Sequence, residues 1–172
     1  MEGGDQGQFA ELVELHYGPL FRFAMSLAGN ESAASDLVQE TFLTWAEKGA
    51  QLRDVTKAKS WLFTTLNRQF LQSRRRLVRF PEVTVDDAEA ELPVVEAHLV
   101  ERLDGARLVE LLAQVDPQYQ AAVSLFYLED YSYLEIAAIL EVPLGTVKSR
   151  VARGVGQLRR LVLGDTGKGR SE

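Results

Sequence analysis

Apolar positions recur along this chain at helical spacing and fall into two blocks. In the first, Phe9, Leu12, Val13, Leu20, Phe23, Ala24 and Leu27 mark one face of a helix turned to a core. Gly18-Pro19 interrupts the run, and an internal proline removes a backbone hydrogen bond, so a kink or a restart is expected there. Gly29-Asn30 ends it, and Asn30 or Ser32 can cap a second helix. That helix reaches about Lys48, with Ala34, Leu37, Val38, Thr41, Phe42 and Trp45 inward. Asp36, Gln39, Glu40, Leu43 and Glu47 lie on or beside its other face, and Gly49 closes it. After a polar loop, Ser60 opens a third helix with Trp61, Leu62, Thr65, Leu66, Gln69 and Phe70 among its core positions. Asn67, Arg68, Arg74, Arg75 and Arg76 add polar and cationic groups to it. Aromatic and basic residues together suit unpaired nucleic acid, although a core anchor is the more ordinary role for Trp61.

The second block begins near 101. One amphipathic helix runs to about Gln114 through Leu103, Ala106, Leu108, Leu111 and Leu112. Asp116 then caps another, with Pro117 in its first position and Ala121, Ala122, Leu125 and Phe126 on its apolar side. The stretch 131–160, YSYLEIAAILEVPLGTVKSRVARGVGQLRR, reads as two helices joined by a tight turn. Ser132 and Glu135 form a capping box, and Pro143 separates the helices. In the second of them Val147, Val151 and Leu158 make a buried stripe, with Lys148, Ser149, Ala152 and Arg153 opposite. A helix with a dry back and a polar, basic front suits the major groove of DNA. Gly154 and Gly156 each cost roughly 1 kcal/mol of helix propensity relative to alanine.

The fold expected is all-α: two small helical domains, 1–80 and 101–164, joined by a flexible acidic linker at 81–100, with a tail at 165–172. Pro81, Pro93 and a run of acids argue against regular structure in the linker. Charge sharpens this division. The net charge of −6 looks wrong for a partner of nucleic acid, but it is unevenly spread. Arg53, Lys57, Lys59, Arg68, Arg74, Arg75, Arg76 and Arg79 face only Asp54 in the first basic block. Glu82, Asp86, Asp87, Glu89, Glu91, Glu96, Glu101 and Asp104 face only Arg102 in the acidic middle, and the chain turns basic again after Leu144. Local fields, not the total, decide where a polyanion docks.

Other classes are disfavoured. No apolar run reaches the roughly 18 residues of a membrane span, and the N-terminus lacks the features of a signal peptide, so a cytoplasmic protein without membrane insertion is expected. The chain has no cysteine, hence no thiolate metal site. His16 and His98 stand far apart and read as ordinary, partly exposed side chains. Asp36 and Glu40 have no neighbouring histidine or third carboxylate in sequence. No set of nucleophile, base or metal ligands emerges, so neither an enzyme nor a cofactor is expected.

Two motifs then carry a resemblance. S-Y-L-E-I-A followed by V-P-L-G-T-V-K-S-R resembles the region 4 helix-turn-helix of bacterial sigma factors, especially the small extracytoplasmic-function (ECF) group. D-L-V-Q-E-T-F resembles the signature of sigma region 2. The resemblance implies that Asp36, Gln39, Glu40 and Leu43 bind the coiled coil of the largest subunit of core RNA polymerase. It implies that the third helix, through Trp61, Asn67, Arg68, Arg74 and Arg75, serves the downstream (−10) promoter element. Relatives capture an unstacked base at the loop corresponding to 49–59. It further implies that Lys148, Ser149 and Arg153 face the bases of the upstream (−35) promoter element, with Thr146 and Arg150 on phosphates. Many members of the family are held inactive by an anti-sigma factor, which joins core polymerase and promoter DNA as a partner to consider. The alternative is a stand-alone helix-turn-helix regulator binding operator DNA. The response-regulator type shares E-I-A and T-V-K, but its receiver domain would need alternating strands and helices, and no such alternation precedes Tyr131.

Overall fold

The computed structural model describes residues 3–77 and 103–168. Among the described residues it forms seven α-helices and no strand. These are α1 (Gly3–Ala28), α2 (Glu31–Lys48), α3 (Ala58–Leu77), α4 (Gly105–Leu112), α5 (Pro117–Glu129), α6 (Tyr133–Leu140) and α7 (Leu144–Lys168), with 3₁₀ turns at Gly49–Gln51 and Val55–Lys57. None of the helices described is long and apolar enough to cross a membrane.

The caps explain where the helices begin. Asn30, rather than Ser32, caps α2: its side chain accepts the Ala33 N–H at 2.8 Å. Gly29 before it has φ of 75°, a left-handed geometry natural for glycine. Asp104 accepts the Ala106 N–H and starts α4 at Gly105, later than the expected start at 101. Asp116 does the same for α5. The capping box of α6 is complete, with the Glu135 N–H on Ser132 Oγ at 3.2 Å and the Ser132 N–H on Glu135 Oε2 at 2.7 Å.

Two expectations are corrected. Helix α1 continues through Pro19 and does not restart there. The proline leaves the carbonyl of Leu15 without its usual donor, but Leu15 is exposed, so water can take that place. Helix α7 continues to Lys168, through positions assigned to a tail. The linker assigned to 81–100, and His98 within it, lie outside the described residues.

The two blocks of helices share one apolar core. Leu20, Phe23, Leu37, Val38, Leu62, Phe63 and Leu66 from α1–α3 join Leu125, Ile136, Ile139, Val147 and Val151 from α5–α7 in a single buried cluster. Helix α1 accordingly packs on α5 as well as on α2. A smaller cluster of Leu108, Leu111, Leu112, Val115, Val123, Leu158 and Val162 ties α4 to α5 and α7. Polar contacts accompany the shared core. Glu129, nearly buried, lies 3.5 Å from Arg22 Nη2 and 3.4 Å from Lys59 Nζ. Phe63 and Tyr131 meet edge to face at 5.8 Å.

Candidate nucleic-acid interface

Helix α2 presents a sorted surface. Ala34, Leu37, Val38, Thr41 and Phe42 are buried. Asp36, Gln39, Glu40 and Leu43 are all exposed, and their i, i+3, i+4, i+7 spacing puts them on one face. Leu43 is 65% exposed, an apolar side chain standing in an acidic surface. The face is held in register by α3. Thr41 Oγ1 donates to the Leu37 carbonyl at 2.7 Å and lies 3.0 Å from Gln69 Oε1, while Gln69 Nε2 donates to Thr44 Oγ1 at 2.9 Å. Gln69, read as a core position, is thus a half-buried polar clamp.

Beside this face, α2, the first 3₁₀ turn and α3 enclose an open cleft of about 450 Å³. Thr44, Lys48, Gln51, Trp61, Thr65 and Arg68 are among its walls. Trp61 is half-buried and meets Trp45 edge to face at 5.2 Å. Trp45 in turn covers Gly49, where an added side-chain carbon would lie 2.6 Å from the indole. Trp61 therefore serves both the core and the cleft. Arg68 reaches the cleft but is occupied: Nε and Nη2 donate to Glu141 Oε1 and Oε2 at 2.6 and 2.7 Å. These bonds hold the Glu141 carboxyl below its ordinary pKa and raise that of Arg68. Arg74 lies 5.2 Å over the Phe70 ring, and Arg75 is exposed.

Asn67 does not belong to this surface. It is 5% exposed, because it stands four residues after Phe63 and three before Phe70, both buried, on the core side of α3. In this packing its side chain is turned to the core rather than to the cleft expected to meet DNA. A second difference falls on α7. Ser149 is 6% exposed and its hydroxyl donates back to the Thr146 carbonyl at 3.2 Å. Ser149 and Ala152 are short side chains covered among longer neighbours, and only Lys148 of the expected front is fully open. Thr146 and Arg153 are half-buried. Arg150 is half-buried too, and desolvation lowers its guanidinium pKa.

The sequence reading passed over two cations. Arg159 and Arg160 are exposed on the continuation of α7. The signal was available: Arg159 follows Lys148 by eleven residues and Arg160 follows Arg153 by seven, near-whole numbers of turns. Glu141 was also missed, and no local motif marks it. His16, read as partly exposed, is instead buried. Burial, and secondarily the charge of Lys59, lower its pKa.

The arrangement offers an acidic face with an apolar centre, a polar cleft with an aromatic wall, and a basic helix in a helix-turn-helix. Comparison with known proteins agrees with it. The family model "Sigma-70 region 2" matches residues 12–80, and "Sigma-70, region 4" matches residues 105–158. The ECF RNA polymerase sigma factor SigL of Mycobacterium tuberculosis is 32% identical over 151 residues, covering 86% of this chain and 85% of SigL. SigE of Mycolicibacterium smegmatis is 37% identical over 164 residues, covering 91% of this chain and 63% of SigE. This chain thus spans under two thirds of that relative. Among solved structures, the sigma factor RpoE of Bartonella quintana, in complex with the anti-sigma factor NepR, superposes with a TM-score of 0.70. It is 27% identical, over 92% of this chain and 98% of RpoE. CnrH, in complex with the cytosolic domain of CnrY, shares the fold with a TM-score of 0.63 at 24% identity.

Proposed function

This chain belongs to the ECF RNA polymerase sigma factors, and from that membership we propose that it binds core bacterial RNA polymerase and directs promoter recognition and transcription initiation. Sigma factors are not enzymes, and the bond-forming chemistry belongs to the polymerase. The observation that carries the reading is the α2 face: Asp36, Gln39, Glu40 and Leu43 stand exposed together within the part matched to region 2. An acidic rim steers the face to a basic partner and sets its register, while Leu43 supplies apolar area to be desolvated.

In this proposal residues 1–80 form the polymerase-binding and −10-binding part and residues 101–164 the −35-binding part, with 81–100 as the tether. The α2–α3 cleft takes a single strand of the −10 element. Trp61 offers a ring for stacking and Arg68, Arg74 and Arg75 follow the backbone. Helix α7 enters the major groove of the −35 element, with Lys148 and Arg153 nearest to base edges and Thr146, Arg150, Arg159 and Arg160 toward phosphates. Action beside polymerase places the protein in the cytoplasm. An anti-sigma factor is a natural regulator, since the superposed RpoE is held by one.

The test is promoter-specific initiation by purified chain and core polymerase, with wild type and a Gln39→Ala/Glu40→Ala variant. Initiation by wild type, lost in the variant without loss of fold, is the expected result. Tight operator binding by the chain alone, with no association with polymerase, would overturn the proposal in favour of a conventional helix-turn-helix regulator.

A further inference from the structure

Arg68 and Glu141 lie 73 positions apart in sequence and on opposite blocks of the fold. Their contact is a two-pronged fork: Nε to Oε1 at 2.6 Å and Nη2 to Oε2 at 2.7 Å. A guanidinium grips a phosphate with the same edge and the same geometry. Glu141 caps α6 in the left-handed region, at φ of 58°, uncommon for a residue with a side chain. Its backbone N–H donates to the Ala137 carbonyl, which keeps the carboxylate at the turn of the helix-turn-helix. Helices α3 and α6 pack together, and near the start of α3, over two turns from the fork, Lys59 Nζ lies 5.3 Å over the Tyr131 ring.

We propose that Glu141 is an internal phosphate mimic. It holds Arg68 in the closed chain, so single-stranded DNA in the α2–α3 cleft and the docked position of α6–α7 exclude one another. The inference rests on assigning that cleft to single-stranded DNA. One guanidinium edge cannot serve a carboxylate and a phosphate at once. The pair is half-exposed, at 60% and 49% of the two side chains, so it biases the closed form by only a few-fold. DNA therefore displaces it rather than being locked out. Affinity is reduced by the fraction of chain that is closed.

The chain has no cysteine, so spin labels at Ala46→Cys on α2 and Gln118→Cys on α5, both exposed sites, report the separation of the two blocks. The probe is a dye-labelled oligothymidylate of about 12 nucleotides. Adding it to the labelled full-length chain is expected to lengthen the label distance. Glu141→Gln is expected to bind the oligonucleotide about 2- to 5-fold more tightly and, because the shared apolar core still holds the two blocks together, to reach the longer distance at correspondingly lower oligonucleotide concentration. Glu110→Gln removes one charge from α4 and should change neither. The reciprocal Arg68→Glu/Glu141→Arg variant should restore the short distance yet bind DNA weakly. If Glu141→Gln fails to fold, Arg68→Lys keeps the charge, loses the fork, and must likewise lengthen the distance at lower oligonucleotide concentration than wild type. Equal gains in Glu141→Gln and Glu110→Gln, or DNA binding at an unchanged label distance, would overturn the latch. Equal binding by wild type and Arg68→Ala would instead show that the cleft is not the DNA site.

Discussion

A side-chain carbon at Gly154 would stand 2.1 Å from Val123 Cγ2. Helix α7 thus lies so close on α5 that only a hydrogen fits between them. From sequence alone, Gly154 and Gly156 read as equal weaknesses in a recognition helix. They are not equal, since a carbon at Gly156 meets nothing within 4 Å among the described residues. Gly154→Ala is expected to lose about 1–3 kcal/mol by overpacking, despite the gain in helix propensity. Gly156→Ala should gain up to about 1 kcal/mol. Urea denaturation of both variants checks the opposite signs.

His16 is buried beside the field of Lys59, and both effects lower its pKa. The neutral imidazole is the native form. In the unfolded chain it takes a proton near pH 6.5, and in the folded chain only at lower pH. Its contribution is present above that value and is lost as pH falls through the folded pKa. Urea midpoints for wild type should fall more steeply between pH 7 and pH 5 than those of His16→Gln. Parallel curves for the two proteins would sink the assignment.

Tyr131 carries a buried hydroxyl without a hydrogen-bond partner among the described residues, packed edge to face on Phe63. Burial, then Glu129 and Glu135, push its pKa up to about 12. The folded chain therefore keeps the phenol neutral where the unfolded chain ionises it, from about pH 10 upward. That contribution is whole below pH 10 and lost as pH rises toward 12. Tyr131→Phe removes an unsatisfied polar atom and keeps the ring, so stability at pH 7 should stay level or rise by about 1 kcal/mol. Its alkaline unfolding should begin at higher pH than that of wild type, as followed by circular dichroism.

The legible parts of this fold were local ones. Ser132-Glu135, Asp116 and Asn30 cap helices because a short side chain can reach nearby backbone N–H groups, and that reach is written in three or four consecutive letters; Asp104 does the same, but its place in an acidic run hid it. The exposed set Asp36, Gln39, Glu40 and Leu43 was likewise readable from helical spacing. The pairing of Arg68 with Glu141 was not, because each residue looks like a solvated charge until the chain folds 73 positions back on itself. The burial of Asn67 and Ser149 was hidden for a related reason. A resemblance places a residue on a helix, but its burial depends on which other helices pack there, and here the two blocks share a core. The same sharing hid Glu129, whose two cations come from α1 and α3.

The exposed cations of α7 can be sorted by salt and by sequence. Lys148 is open at the start of the helix, and Arg153 is half-buried one turn further. Arg159 and Arg160 are exposed beyond them, where the helix has travelled about 1.5 Å per residue past the turn. A residue that reads a base loses affinity mainly for its preferred site; one that pairs with a phosphate loses it on every sequence. Arg153→Ala is therefore expected to cost roughly 1–3 kcal/mol on the cognate −35 duplex and little on a scrambled one. Arg159→Ala should weaken both duplexes alike and reduce the slope of log affinity against log salt by about 1. Fluorescence anisotropy with the two duplexes across a salt series separates the roles. A uniform loss for Arg153→Ala would move it to the phosphates and leave Lys148 as the fully open candidate for base readout on this helix.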